Sequence, residues 1–286
     1  MKLVRYGAKG KEKPGLVDKD GVLRDLSRRA KTINADSLTP GGLAKLRKLA
    51  KGKLQPVRGK PRLGVPWDGI GKIICIGLNF ADHAKEAGAP IPTEPVVFMK
   101  PNSSLNGPND KVTIPKDSQK TDWEVELGIV IGRKAAHVEE KDALKHVAGY
   151  VVCNDVSERH YQLERDGGRQ WIKGKGCDTF CPVGPYLVTA DEIKDPQNLK
   201  MWLTVNGQVR QNGSTSTMIF GCAHLVSYLS RFMTLYPGDL ILTGTPPGVG
   251  LGIKPTPVFL KAGDVVKVGI EGLGEQTQTM VAWPGK

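Results

Sequence analysis

The segment Asp122-Trp123-Glu124-Val125-Glu126-Leu127-Gly128-Ile129 constrains the fold of this chain more than any other. Apolar and polar residues alternate across 123–131, which is the period of a strand and not of a helix. Side chains along a strand point alternately to its two faces, so Val125, Leu127, Ile129 and Ile131 share a core face. Glu124 and Glu126 share the other, roughly 7 Å apart. Two carboxylates side by side on a rigid strand repel unless something positive lies between them. A hard divalent cation with oxygen ligands is the simplest answer. A strand with a polar, solvent-facing side is the plainer alternative.

The remaining pattern is dominated by strands. Short apolar or alternating runs occur at 3–6, 16–18, 22–26, 72–76, 96–99, 112–114, 147–152, 240–243, 265–270 and 277–283. Asn206-Gly207 joins the runs 199–205 and 208–211 in a hairpin. Helical patterns cover 39–49, 79–87, 157–164 and 223–232. Strands outnumber helices and the two do not alternate, so the expected class is α+β, mostly β, rather than a parallel doubly wound sheet.

Charge divides the chain. Residues 1–66 carry 18 Lys/Arg against 5 Asp/Glu, whereas 67–286 carry 23 against 24. With the Lys-, Gly- and Pro-rich stretch 51–69 as a linker, this suggests a small basic N-terminal domain (1–66) and a catalytic domain (67–286). Tyr6 is the one aromatic before Trp67. A basic face without stacking platforms argues for solvation rather than for nucleic acid. No apolar run is long enough to span a membrane and no signal-peptide pattern opens the chain. Five widely spaced cysteines without C-x-x-C read as reduced thiols. The expected location is the cytoplasm.

Four further groups carry chemistry. Asp155 follows an apolar strand and opens the expected 157–164 helix, as a metal ligand or as a cap. Arg159 and Gln162 lie four and seven residues on, on the same helix face. Arginine's planar fork suits a substrate carboxylate. His83 and Glu86 are neighbours at three-residue spacing, and a carboxylate beside an imidazole fixes its tautomer as a general base requires. A surface His–Glu contact is the alternative. Their short helix, bounded by Gly77, Gly88, Pro90 and Pro92, is expected to act as a lid. Lys175 lies in a Gly-flanked basic turn. The loop Thr243-Gly244-Thr245-Pro246-Pro247-Gly248-Val249-Gly250 is no Walker loop, but it can present N–H groups and the Thr245 hydroxyl to an anion.

In order, Gly77-Leu78-Asn79-Phe80-Ala81-Asp82-His83 with Glu86, Glu124-Val125-Glu126, Asn154-Asp155-Val156-Ser157-Glu158-Arg159, Lys175 with Asp178-Thr179-Phe180, and the 243–250 loop resemble the fumarylacetoacetate hydrolase family. The resemblance covers about residues 70–283. Phe80 and Gly176 depart from it, where Tyr and Ser are common. It implies a rolled mixed β-sheet with a small N-terminal domain. It implies Mg²⁺ or Mn²⁺ held by Glu124, Glu126 and Asp155. His83, oriented by Glu86, would be the base and Lys175 the oxyanion stabiliser. Asn79, Arg159, Gln162 and Thr245 would hold a small 2-oxo acid. The implied reaction is cleavage of the C3–C4 bond of a 2,4-dioxo acid to pyruvate and a second acid, by a homodimer.

The stretches Pro237-Gly238-Asp239-Leu240 and Gly272-Leu273-Gly274-Glu275-Gln276 look most like bacterial members that cleave 2,4-diketo-3-deoxy sugar acids. Oxaloacetate decarboxylation and 2-oxopentenoate hydration are the rival reactions. A metal-dependent binding protein with a basic arm is the non-enzymatic rival, which the His–Glu pair disfavours because binding needs no base.

Overall fold

A computed structural model describes residues 1–86, 88, 90–165 and 170–284. Ala87, the last residue of the expected 79–87 helix, lies outside them. A nine-stranded sheet runs in the order Leu23–Asp25, Lys13–Val17, Lys2–Tyr6, Leu187–Thr189, Val147–Asn154, Val125–Ile131, Leu240–Leu242, Ile73–Gly77, Val96–Lys100. Neighbours are antiparallel except for the parallel pair Leu240–Leu242 and Ile73–Gly77. A second, five-stranded sheet contains Gln208–Ser214, Lys200–Val205, Val265–Ile270, Gly274–Val281 and Val112–Thr113. The class is α+β and mostly β, as the strand-rich pattern implies.

The Val125–Ile131 strand sits inside the large sheet, between Val147–Asn154 and Leu240–Leu242. Val125, Leu127, Ile129 and Ile131 pack with Met201, Leu203, Val266 and Val268 of the second sheet in one core. The opposite face is not solvated. Val130 packs with Val151, Cys75 and Leu240 in a second core, so every residue of the strand is buried. Gly128 belongs to that close packing: a Cβ there would lie 2.7–3.0 Å from Val151, Cys153 and Leu240.

Residues 1–66 contribute to this second core. Their three strands extend the large sheet through Leu187–Thr189, and Leu3, Leu16, Leu26 and Leu38 share the cluster that holds Ile73, Cys75 and Val130. The Pro40–Ala50 helix starts where the sequence places it, with the Thr39 hydroxyl accepting from Gly42 N. Within the expected linker, Trp67 is buried and donates Nε1–H to Gly238 O at 2.9 Å. Packing therefore continues across position 66.

One local expectation is overturned. Ser157–Glu158 is not helical but pairs as a strand with Thr121–Asp122, and a helical turn follows only at His160–Glu164. The Glu158 carboxylate draws the backbone away from helix by accepting from Lys120 N and His160 N at 3.1 Å. Asp155 thus ends a strand and caps no helix, and it does not share a helix face with Arg159 and Gln162. Among the described residues no helix is long and apolar enough to cross a membrane.

All five tryptophans lie beyond residue 66, so their fluorescence reports on the larger part alone. Leu26→Ala removes a side chain buried in the shared core, a change that costs about 2–5 kcal/mol. Because the core is shared, it lowers the midpoint of the tryptophan transition in urea. An unmoved tryptophan midpoint would mean that residues 1–66 unfold separately.

Candidate active site

Asp122, Glu124 and Glu126 project from the start of the buried strand, where sheet pairing gives way to side-chain bracing. Val125 N donates to Gln211 Oε1 at 2.9 Å, and Gln211 Nε2 donates to Thr245 Oγ1 and Pro246 O. Thr245 Oγ1 in turn donates to Val125 O at 2.9 Å. Asp155, at the end of the paired Val147–Asn154 strand, joins the same wall through Asp155 N to Glu124 O at 2.9 Å. Glu124, Glu126 and Asp155 each offer a carboxylate oxygen, all within 4.8 Å of one another, and all three are buried.

Three buried cations face these acids. Lys175 Nζ donates to Glu124 Oε2 at 2.7 Å and to Asp155 Oδ2 at 2.9 Å. Lys100 Nζ donates to Asp155 Oδ1 at 2.6 Å. Arg159 donates from Nη2 to Glu124 Oε1 at 2.7 Å, from Nε to Asp122 Oδ2 at 2.8 Å and from Nη1 to Gln162 Oε1 at 3.0 Å. The guanidinium fork is therefore committed largely to the wall itself. Lys175 uses two of its three donors there, and among the described residues the third has no hydrogen-bond partner, the ammonium lying 5.2 Å from the centre of the Phe98 ring.

The loop after Leu240–Leu242 supplies main-chain donors. Gly244 N reaches Glu126 Oε2 at 2.8 Å, Gly248 N reaches Glu86 Oε1 at 3.0 Å, and Gly250 N reaches Asp122 Oδ1 at 2.6 Å. Gly248 has φ +103°, and a Cβ there would stand 1.9 Å from Arg210 O, so only glycine fits. The Ala81–Glu86 helix is held against this loop through Glu86, whose Oε2 lies 3.0 Å from His83 Nδ1. With Nδ1–H donated to Glu86, Nε2 is the ring nitrogen left to accept a proton.

These groups enclose one cavity of about 710 Å³. His83, Glu86, Glu124, Glu126, Arg159, Gln162, Lys175 and Thr245 all line it. Asn79 does not. Its amide donates to Phe220 O and Thr243 O and accepts from Phe220 N, which braces the backbone beneath the site. Lys100, Asp122 and Gln211 were not singled out from the sequence. Asp122 adjoins the paired glutamates, and Lys100 is a lone lysine ending an apolar strand, so both carried a signal.

Charge distribution separates the two glutamates. Burial alone would raise the Glu124 pKa, but Lys175 and Arg159 outweigh it and hold the group at about 2. Burial, Asp155 and Glu124 together push Glu126 well above the ordinary carboxylate range. Glu126 has no basic side chain bonded to it among the described residues. Four acids against three bases leave the cluster one positive charge short. The cluster therefore attracts a cation, and its carboxylate oxygens are the donors a hard divalent ion takes.

A profile built from known families, described as "Fumarylacetoacetate (FAA) hydrolase C-terminal", matches residues 72–281. A Burkholderia lata protein, named no further than a hydrolase, is 59% identical over 278 residues, 97% of this chain and 98% of that one. Among solved structures, fumarylacetoacetate hydrolase from Exiguobacterium antarcticum superposes with a TM-score of 0.85 at 36% identity, covering 99% of this chain and 100% of that one. Maleylpyruvate hydrolase from Sphingobium sp. SYK-6 gives 0.80 at 30% identity, with 99% and 100% covered. A 2-hydroxyhepta-2,4-diene-1,7-dioate isomerase from Mycobacterium marinum gives 0.75 at 33%, with both chains covered in full.

Glu126 and Glu124 act oppositely on stability. The native protein holds the Glu126 proton where the unfolded chain has lost it, so metal-free protein loses stability as pH rises above the ordinary glutamate value near 4.3. Glu124 works only on the acid side, its contribution fading as pH falls from there toward about 2. Glu126→Gln in EDTA should therefore lose less thermal stability than wild type between pH 5 and 8. The same variant should bind Mn²⁺ at least about a hundredfold more weakly by calorimetry, since even outer-shell changes cost 10–100-fold. Undiminished affinity would remove Glu126 from the ligand set.

Proposed function

The chain belongs to the fumarylacetoacetate hydrolase family, and on that premise we propose that it cleaves the C3–C4 bond of a 2,4-dioxo acid to give pyruvate and a second acid. The observation that carries this reading is that a His–Glu pair and two acids of a carboxylate triad, Glu124 and Glu126, line the same cavity, with Asp155 buried beside them. A triad alone would suit a binding protein. A base in the same cavity suits a reaction that consumes water.

Glu124, Glu126 and Asp155 would hold Mg²⁺ or Mn²⁺, which supplies Lewis-acid charge to the oxygens of a bound 2-oxo acid. His83 takes a proton at Nε2 from the water that adds to the distal carbonyl, while Glu86 steadies the imidazolium through Nδ1–H. The C3–C4 bond then breaks as the C4 oxyanion re-forms a carbonyl, its electron pair passing to the pyruvate fragment as the enolate. That enolate takes at C3 the proton that His83 removed from water and becomes pyruvate, while C4 leaves as the second acid. The free donor of Lys175 stabilises oxyanion charge at the wall. Gln162 and Thr245 line the cavity as substrate contacts, with Arg159 contributing the N–H groups its acid partners leave open. Asn79 acts from beneath by bracing the loop backbone.

A 2,4-diketo-3-deoxy sugar acid is the first substrate to try, with acetylpyruvate as the short analogue. Isomerisation is the second reading, because several solved relatives bear the names of isomerases of unsaturated dioic acids. Both reactions pass through an enolic 2-oxo acid, and pyruvate release separates them. Oxaloacetate decarboxylation also needs the enol, but not a base that carries water.

The test compares kcat/KM for a 2,4-diketo-3-deoxy sugar acid, acetylpyruvate and oxaloacetate at one Mg²⁺ concentration. Pyruvate should form from the 2,4-dioxo acids and stop in EDTA. His83→Ala should lower kcat by about 10²–10⁴, the usual contribution of a general base, with Mn²⁺ binding retained. Oxaloacetate as the best substrate, with its turnover unaffected by His83→Ala, would replace hydrolysis by decarboxylation.

A further inference from the structure

Lys100 stands behind the site rather than in it. It ends the Val96–Lys100 edge strand, its side chain is fully buried, and the described residues lining the cavity do not include it. Its ammonium is anchored twice, to Asp155 Oδ1 at 2.6 Å and to Val156 O at 3.1 Å. Lys175 faces Asp155 from the other side, through Oδ2, and does line the cavity. One carboxylate thus lies between two lysines of unequal freedom. A cation entering from the cavity can displace Lys175 from Oδ2. It meets Lys100 only across the carboxylate, and Oδ1 stays occupied.

We propose that Lys100 is a positioning residue that confines Asp155 to one free oxygen and thereby selects a small divalent cation over Ca²⁺. Ca²⁺ takes six to eight oxygens and uses carboxylates through one or both oxygens to reach that number, whereas Mg²⁺ and Mn²⁺ suit octahedral sites of fewer oxygens. Freeing Oδ1 removes the restriction and also one positive charge. The charge change strengthens binding of either cation. The geometric change favours Ca²⁺ in particular, so the ratio of affinities isolates it. This inference rests on the reading that Glu124, Glu126 and Asp155 hold a cation.

The experiment is calorimetric titration of the full-length, metal-stripped chain with Mn²⁺ and, separately, with Ca²⁺. Wild type should bind Mn²⁺ at least about tenfold more tightly, and Lys100→Met should narrow that ratio by about 10–100-fold, the range for a residue that orients a ligand. Lys100→Gln keeps a donor without the charge and should retain more of the ratio than Lys100→Met. A wild-type ratio in Lys100→Met overturns the proposal. If that variant does not fold, wild type and Lys100→Gln decide. Equal affinity for the two cations in wild type, or a Gln variant that discriminates less than one in three of the wild-type ratio while holding Mn²⁺ more tightly, overturns it too. Absence of any divalent binding to wild type would instead sink the metal reading itself.

Discussion

The mutual compensation of buried charge governs this structure. Asp122, Glu124, Glu126 and Asp155 meet Lys100, Arg159 and Lys175, and none of the seven is more than 6% exposed. Removing an ion from water costs several kcal/mol, which is recovered only when partners approach in good geometry. Each acid–base bond of the cluster meets that condition, at 2.6–2.9 Å. The strand order follows from the same demand. Val125–Ile131 must lie beside Val147–Asn154 to bring Glu124 to Asp155, and beside Leu240–Leu242 to bring the glycine loop to Glu126.

That loop turns a sheet into a reactive surface. Its N–H groups hold an acid at the base of the cavity, an acid beside the imidazole and an acid behind the arginine. Main-chain donors carry no side-chain entropy, so three carboxylates are fixed at little conformational cost. Glycine at Gly248 is the condition for this, since the backbone of Arg210 leaves no room for a Cβ.

Much of the site was legible in the sequence because its chemistry lies in short segments. The alternation at 123–131 gave a strand, and its parity put Glu124 and Glu126 together. The three-residue spacing of His83 and Glu86 gave their contact. Periodicity could not reveal that the face opposite the core was itself covered, because one face of a strand looks alike under solvent or under a second layer when its residues are few and small. Gly128 and Val130 occupy that face. The helical reading of 157–164 failed because the Glu158 carboxylate competes for backbone donors that a helix would use. The place of Lys100 at the end of an apolar strand was legible, but its pairing was not, because its partner is 55 residues away in the chain. The charge step at residue 66 was real in composition, yet apolar packing ignores it.

The charge cluster has a consequence for synthesis on the ribosome. Its members come from residues 100, 122–126, 155–159 and 175, and its main-chain donors from 244–251. The acids at 122–126 emerge well before Lys175, and the loop that caps them emerges last. A nascent chain that collapsed early would seal carboxylates away from water with too few partners. The energetics instead favour keeping these strand ends hydrated until roughly nine-tenths of the chain has been translated. A product truncated before residue 244 lacks the main-chain donors that hold Glu126, Glu86 and Asp122.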